Sequence, residues 1–503
     1  MKFFFIFCFF FVAIVVPAQN IKVLSKDTNE PIIGVAIYNI DKSKSVVTNF
    51  MGEANLDDFS NSEIIYFKHL SHLLKKITKI ELGTSNRVYL NSNTEGLEEI
   101  VISASKFEQN KKDIPQKIIS INPESIQFSN PQTSADLLET TGQVYIQKSQ
   151  LGGGSPMIRG FSTNRLLITV DGVRMNNAIF RGGNLQNVIA IDPFSIQTTE
   201  VTLGSGSVIY GSDAIGGVMS FYTQKPRLSY TDSLLLKSNI IVRYASASDE
   251  KTGHFDFNLG YKRWAFVTNA SYTSFGDLKM GKHGPDAYLR PEFVLATSTG
   301  DVIIKNSDPL VQRESGYNQL NMMQKVRYEP SENFNFDIGL FYTTTTNTPR
   351  YDRLIRYKND VLRSAEWNYG PQEWFMSNLQ VTKLSSNSSL YDKIKATLAY
   401  QNFQESRMDR DFQSDIRSVR EEAVDAYSFN LDFEKTLSYK TQFFYGVEYV
   451  YNKMMSHGEE ENIATNIISP TVSRYPNGAS WQSAAVYTSI KYKPNPKFVF
   501  QSG

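Results

Sequence analysis

Between Glu200 and Thr223 the chain reads EVTLGSGSVIYGSDAIGGVMSFYT, with glycines spaced as if to hold a phosphate. Gly206 and Gly211 stand in the G-x-x-x-x-G spacing of a nucleotide loop, and Gly204-Ser205-Gly206 begins like a dinucleotide fingerprint. The chemistry fails on charge. A phosphate loop needs Lys after its second fixed glycine to reach the β- and γ-phosphates, then Ser or Thr for Mg²⁺. Ser212 and Asp213 occupy those positions, and a carboxylate repels phosphate. The dinucleotide pattern fails on spacing, since its third glycine would fall at Ile209. Covalent and metal chemistry fare no better: there is no G-x-S-x-G, no H-E-x-x-H, and the 5 histidines are scattered. His69 and His72 lie close in sequence but lack a third ligand nearby, so they read as strand-end residues. No catalytic residue, metal ligand or cofactor is expected. The glycines must serve conformation.

The surrounding chain says what kind of conformation. Its first residues, MKFFFIFCFFFVAIVVPAQN, place one Lys before an apolar run and Val16-Pro17-Ala18 before Gln19. That is the layout of a secretory signal over residues 1–18, too short to span a bilayer. The single cysteine, Cys8, lies inside it, so the mature chain cannot be a disulfide-stapled ectodomain. Such a chain suits a protein that crosses a periplasm unfolded. A net charge of +1 and the absence of basic blocks exclude a nucleic-acid partner. The aromatics are unusual: 33 Phe and 27 Tyr accompany a mean hydropathy of −0.32. Beyond residue 20 no apolar run is long enough for a transmembrane helix. Many aromatics at low hydropathy fit the alternating strands of a transmembrane β-barrel.

Four segments follow the signal. Residues 19–92 contain strand-length pieces with turn signals at Asn29-Glu30-Pro31 and Gly52, the pattern of a β-sandwich. Residues 93–115 form a charged linker around EIVISAS, short, exposed and β-prone, able to add as a strand to a partner's sheet edge. Residues 116–228 hold glycines, short apolar strands such as LLITVDGV, and one helix starting with Ser134 as N-cap, hence an α+β domain. From 229 to 503 the period is two. Phe336, Ile338, Leu340 and Tyr342 alternate with Asn335, Asp337, Gly339 and Phe341. Strands are expected at 238–245, 254–261, 264–274, 317–328, 334–345, 372–383, 392–405, 424–437, 441–452 and 482–493. Tight turns (Lys262-Arg263, EPSEN, SSNSSLY, SYK, PNP) alternate with long connections at 275–316, 346–371, 406–423 and 453–481. Soluble sandwiches rarely keep that asymmetry; outer-membrane barrels do. KFVFQSG opens an eleventh strand and stops, and outer-membrane barrels have even strand counts, so the C-terminal part of the barrel is expected to be missing. The fold class is mainly β: sandwich, α+β domain, and part of an antiparallel transmembrane barrel.

Two resemblances sharpen this reading. PIIGVAIYN and TNFMGEANL resemble the carboxypeptidase-regulatory-like domain, a seven-stranded sandwich. The whole order of segments resembles a TonB-dependent outer-membrane receptor of the Bacteroidetes type, in which 116–228 is the plug; the resemblance implies a 22-stranded barrel, of which about 11 strands are read here. Its motif positions are Ile158-Arg159-Gly160, Asp171-Gly172-Val173, and the run from Glu200 to Val218. The resemblance makes EEIVISAS the TonB box, carried by Glu99, Ile100, Val101, Ile102, Ser103 and Ala104. It makes Gly204, Gly211, Gly216 and Gly217 sharp turns or close approaches of the plug backbone, with Tyr210 packed against neighbouring strands. Arg159 would pair with barrel-wall carboxylates. Ser205 departs from the family's usual Pro and Thr198 from an Arg that often assists Arg159, so that ionic lock would be halved.

The implied function is energised uptake. Ligand would bind between extracellular loops and the plug apices, Ser162 to Asn164 and Asn176 to Asn184, with Asn164, Arg165, Asn177, Phe180 and Arg181 as contacts. The implied partners are TonB with its inner-membrane ExbB/ExbD energiser, outer-membrane lipid, a small-molecule ligand, and a surface lipoprotein co-receptor in some relatives. Arginine beside an aromatic suits a ferric siderophore or haem. His283 and His457, in expected long loops, are candidate haem ligands, though single loop histidines are usually solvated. Glycan or peptide import is an alternative. A passive porin or adhesin would share the barrel pattern without plug or box, and a hydrolase is excluded by the missing constellations.

Overall fold

The computed structural model describes residues 20–503 apart from 42, 70, 83–85, 93–99, 180–186, 230–232, 298–299 and 386. The signal segment, Glu99, Phe180 and Arg181 therefore lie outside the described residues. The chain divides into two units, Met1–Glu98 and Glu99–Gly503.

In the first unit, short strands with apolar residues on one face form two sheets. Asn20–Ser25 pairs with Glu53–Asn55 and, in parallel, with Arg87–Leu90; the other sheet runs Ser45–Val47, Ala36–Tyr38, Ile64–His69, His72–Thr78. Val23, Ile37, Leu56, Phe67 and Val88 meet between them. Gly52 is required at its turn: φ is +72°, and a Cβ there would lie 2.6 Å from the Val23 carbonyl oxygen. His69 and His72 face each other across a hairpin, Nδ1 to Nδ1 3.2 Å, sharing the Ser71 hydroxyl.

The second unit is dominated by one antiparallel sheet. Its path runs through Leu235–Ala245, Glu250–Gly260, Trp264–Phe275, Tyr317–Ser331, Phe334–Thr345, Glu373–Leu384, Lys393–Asp411, Ile416–Ser438, Thr441–Asn462, Ser480–Asn495 and Phe498–Ser502. Each expected wall strand is present. The decisive feature is which face is covered. His254, Asp256 and Asn258 are buried, whereas Phe255 between them is 43% exposed. A soluble sandwich would do the opposite. A polar face turned inward and an apolar face left bare is the arrangement of a barrel wall in hydrocarbon.

Two of the expected long connections are mostly strand. Lys393–Asp411 and Ile416–Ser438 leave only a short turn between them, and Thr441–Asn462 continues far past residue 452. Crossing a bilayer takes about 9–11 residues. Beyond that length no apolar face is needed, so the period-two signal fades at RSVREE and SHGEEEN while the backbone ladder continues.

Inside lies the α+β domain. Its five-stranded sheet has the order Lys117–Ile121, Ile196–Leu203, Gly217–Thr223, Leu166–Val170, Val173–Arg174, beside a three-stranded ribbon from Tyr145 to Ser162. Among the described residues two helices longer than one turn flank it, Pro123–Ser129 and Ser134–Glu139, with a single turn at Ser207–Tyr210. The second begins one residue earlier than expected: Thr133, not Ser134, is the N-cap, in a capping box with Asp136. The first was not anticipated, although Asn122-Pro123 is a strong start signal. Ile168, Val170 and Phe221 share one core with Val267, Phe341, Trp374 and Phe403 of the wall.

Candidate functional site

The first site gathers at the end of the inner domain near the short turns. The linker expected to be exposed is folded away there. Ile100–Val101 pairs antiparallel with Gln109–Asn110, and Val101 packs with Ala104, Ile114 and Ile118. A strand edge this short cannot hold itself. Glu200, buried on the central strand Ile196–Leu203, supplies the missing acceptor: its carboxylate receives the Ile102 N–H at 3.0 Å and the Ser103 N–H at 2.7 Å. Ser103 Oγ lies 3.0 Å from Thr202 Oγ1 on the same strand. Charge-assisted bonds to backbone N–H groups are the strong kind. Lys106 then meets Asp432 of the wall at 3.0 Å, and Lys395 donates to the Lys106 carbonyl at 3.1 Å. Residues 100–106 are thus tied to both the inner domain and the wall.

Two turns in the inner domain have the same geometry and opposite surroundings. Arg159-Gly160 joins Ile158 to Phe161, and Asp171-Gly172 joins Val170 to Val173. All four residues have positive φ, between +50° and +85°, as two-residue hairpins with the right twist demand. Asp171 accepts from Thr223 N–H at 2.9 Å and pairs with Lys325 of the wall at 2.7 Å. Arg159 is exposed, and among the described residues no ion pair involves it. The expected lock through Arg159 is therefore replaced by Asp171–Lys325, Lys106–Asp432 and Arg174–Glu448 at 2.8 Å. Arg174 also donates to the Tyr210 carbonyl, which places Tyr210 beside Leu167, Ala214 and Val218. Sequence reasoning missed Lys106, Arg174 and Lys325, because nothing local marks a charge whose partner lies in another segment.

The glycines work as turns and close approaches. Gly204 and Gly211 have φ of +104° and +80°. A Cβ on Gly216 would sit 2.3 Å from that of Phe161, and one on Gly217 2.7 Å from the Thr202 carbonyl oxygen. Those neighbours belong to the inner domain itself. The glycine pressed against the wall is Gly152, whose Cβ would lie 2.6 Å from Thr348 Cγ2.

Toward the long connections, Asn177 sits in a small cavity with Met175 and the wall residues Trp374, Gln401, Phe403, Val424 and Ala426. Its neighbour Ala178 donates to Asn452 Oδ1 at 3.0 Å. Asn164 and Arg165 are exposed on a short turn, and no hydrogen bond among the described residues joins them to Asn177. His283 is an exposed surface residue. His457 lies on the strand Thr441–Asn462 rather than in a loop, and points to the face opposite Asn452 and Met454.

Comparison with known proteins agrees with this geometry. Residues 110–218 match the TonB-dependent Receptor Plug Domain. The chain is 37% identical over 127 residues to the vitamin B12 transporter BtuB of Vibrio vulnificus strain YJ016, covering 25% of this chain and 20% of that protein. It is 28% identical over 355 residues to the hemoglobin and hemoglobin-haptoglobin-binding protein of Haemophilus ducreyi, covering 66% of this chain and 32% of that protein. Among solved structures, the ferripyoverdine receptor of the Pseudomonas aeruginosa outer membrane superposes with a TM-score of 0.58 at 9% identity, over 94% of this chain and 60% of that one. The chain spans less than half the length of the curated relatives it matches. Residues 110–218 thus match the plug-domain family, and the antiparallel sheet around them has the fold of the ferripyoverdine receptor.

Proposed function

We propose that this chain is an outer-membrane receptor of the TonB-dependent kind, taking up a scarce ligand with work delivered by TonB. The observation that carries the proposal is the pairing of a buried box with a lumen-filling plug. Residues 100–104 are held by Glu200 at one end of the plug, and the other end opens to the long connections. An outer membrane has no nucleotide supply, so energy must arrive through a partner. TonB would capture the box as an added strand once it leaves Glu200, and ExbB/ExbD would power the pull. Asn177 lies on the outward side, where a ligand would first meet the plug; Phe180 and Arg181 continue that segment in the sequence. We favour a ferric siderophore or haem as cargo. Relatives named for haemoglobin and hemin support that class. The N-terminal sandwich, of carboxypeptidase-regulatory-like type, would lie in the periplasm, and a surface lipoprotein is a natural co-receptor.

The test is uptake by cells expressing the protein with residues 100–104 deleted. A receptor loses accumulation of its cargo and keeps surface binding. Unchanged accumulation would make the barrel a passive porin.

A further inference from the structure

Past the layer where the wall packs on the plug, five arginines crowd around three carboxylates. Arg350, Arg353 and Arg356 all depend on Asp352, at 2.8, 3.7 and 3.6 Å. Arg474 pairs with Glu405 at 3.1 Å and Glu422 at 2.7 Å, while Arg407 reaches the same Glu405 at 3.4 Å. Two positive charges are in excess. Aromatic faces hold the group in place: Arg350 lies 4.8 Å from the Trp367 centroid, and Arg407 lies 4.7 Å from that of Tyr369.

Position follows from strand period. Glu405 and Glu422 stand two residues beyond Phe403 and Val424, so they share the face that lines the Asn177 cavity. Asp352 is tied to the plug itself, its N–H donating to the Ser149 carbonyl at 3.3 Å. The arginines therefore stand over the plug, on the lumen side.

Their hydrogen bonding is incomplete. Arg407 Nε and Arg474 Nη2 are buried and make no hydrogen bond among the described residues, and Arg353 Nε, also buried, has only the long 3.7 Å pairing to Asp352. Buried charged donors are rarely left this way, because each has given up water without replacement. Burial and the flanking Arg350 and Arg356 pull the Arg353 pKa below the ordinary arginine value, another sign of crowded positive charge. A purely structural salt-bridge network would match its charges and use its donors. This one does neither.

We propose that Arg353, Arg407 and Arg474 form an anion-recognition subsite that selects ligands carrying clustered negative oxygens, carboxylates or catecholates. Those oxygens complete the open guanidinium bonds, for which planar, forked arginine is better suited than lysine. The assignment rests on the receptor reading above and narrows it: neutral sugars and cationic chelates are disfavoured.

The experiment measures binding to the full chain in detergent micelles by Trp fluorescence and calorimetry. Four iron probes separate the sources of negative oxygen: ferric citrate, a ferric tris-catecholate, haemin, and the cationic hydroxamate ferrioxamine B. At least one anionic probe should saturate the protein while ferrioxamine B does not. Arg353→Gln and Arg407→Gln should each weaken that probe about tenfold, the worth of one charge-assisted bond. Arg407→Lys should recover less than half of the loss on a logarithmic scale. Resistance to detergent unfolding checks that each variant remains folded. Equal affinity for ferrioxamine B, unchanged affinity in both Gln variants, or no saturable binding of any anionic probe each overturns the subsite. Deleting residues 100–104 should leave these affinities untouched, so a failed subsite and a failed receptor reading give different results.

Discussion

The surroundings of the plug's two ends treat charge in opposite ways. Near the short turns each named charge has a partner: Lys106 meets Asp432 at 3.0 Å, Lys493 meets Asp113 at 2.6 Å, and Glu200 receives backbone N–H groups. Toward the long connections three arginines lean on one aspartate, and buried donors stay open. Matched buried charges fix a register more than they stabilise it. On the proposed function, the matched end would serve as a catch and the arginines of the wall and its long connections as a receiving surface, with the five-stranded sheet of the plug between them.

The comparison can be broken by substitution. The largest effect belongs to the box: removing residues 100–104 should reduce uptake to background while surface binding persists, and surviving uptake would mean that the buried segment is no catch. Next comes the plug–wall pair. Asp171→Ala strands Lys325 without its partner and should cost about 3–5 kcal/mol in denaturant unfolding of the plug; a loss under about 1 kcal/mol would place the lock elsewhere. Glu200→Gln keeps the shape but gives up charge-assisted bonds worth about 1.5–3 kcal/mol, which opens the box roughly 10- to 150-fold more often. Because the only cysteine is Cys8 in the signal segment, a thiol introduced by Ala104→Cys reports this directly. Its labelling should accelerate when Glu200→Gln is added, and an unaltered rate would remove Glu200 from the latch. The smallest effect is expected at Arg159→Ala. An exposed turn residue should change stability by no more than about 0.5 kcal/mol, and a large loss would restore the ionic lock that the motif suggested.

How much of this was readable in advance depended on whether the cause was local. The wall strands were readable because hydrocarbon on one side and a filled lumen on the other force a period of two. Their upper ends were not: at RSVREE and SHGEEEN the ladder leaves the membrane, and the constraint that marked it disappears. Ile100 to Ala104 stood out as a β-prone piece between charged flanks, yet its burial depends on Glu200, far along the chain. Asp171-Gly172 and Arg159-Gly160 were alike as motifs and alike as turns. Only the neighbours brought by the fold separated them, Lys325 for one and open surface for the other.

Amino-acid order alone determined where strands run, which face meets lipid, and where the plug backbone must turn, since each follows from side chains a few positions apart. Tertiary structure decided which charges meet across plug and wall, that His457 stands on a strand rather than in a loop, and where guanidinium groups outnumber their carboxylates. Electrostatic pairing acts through space between segments distant in sequence, and no periodicity along one chain encodes that distance.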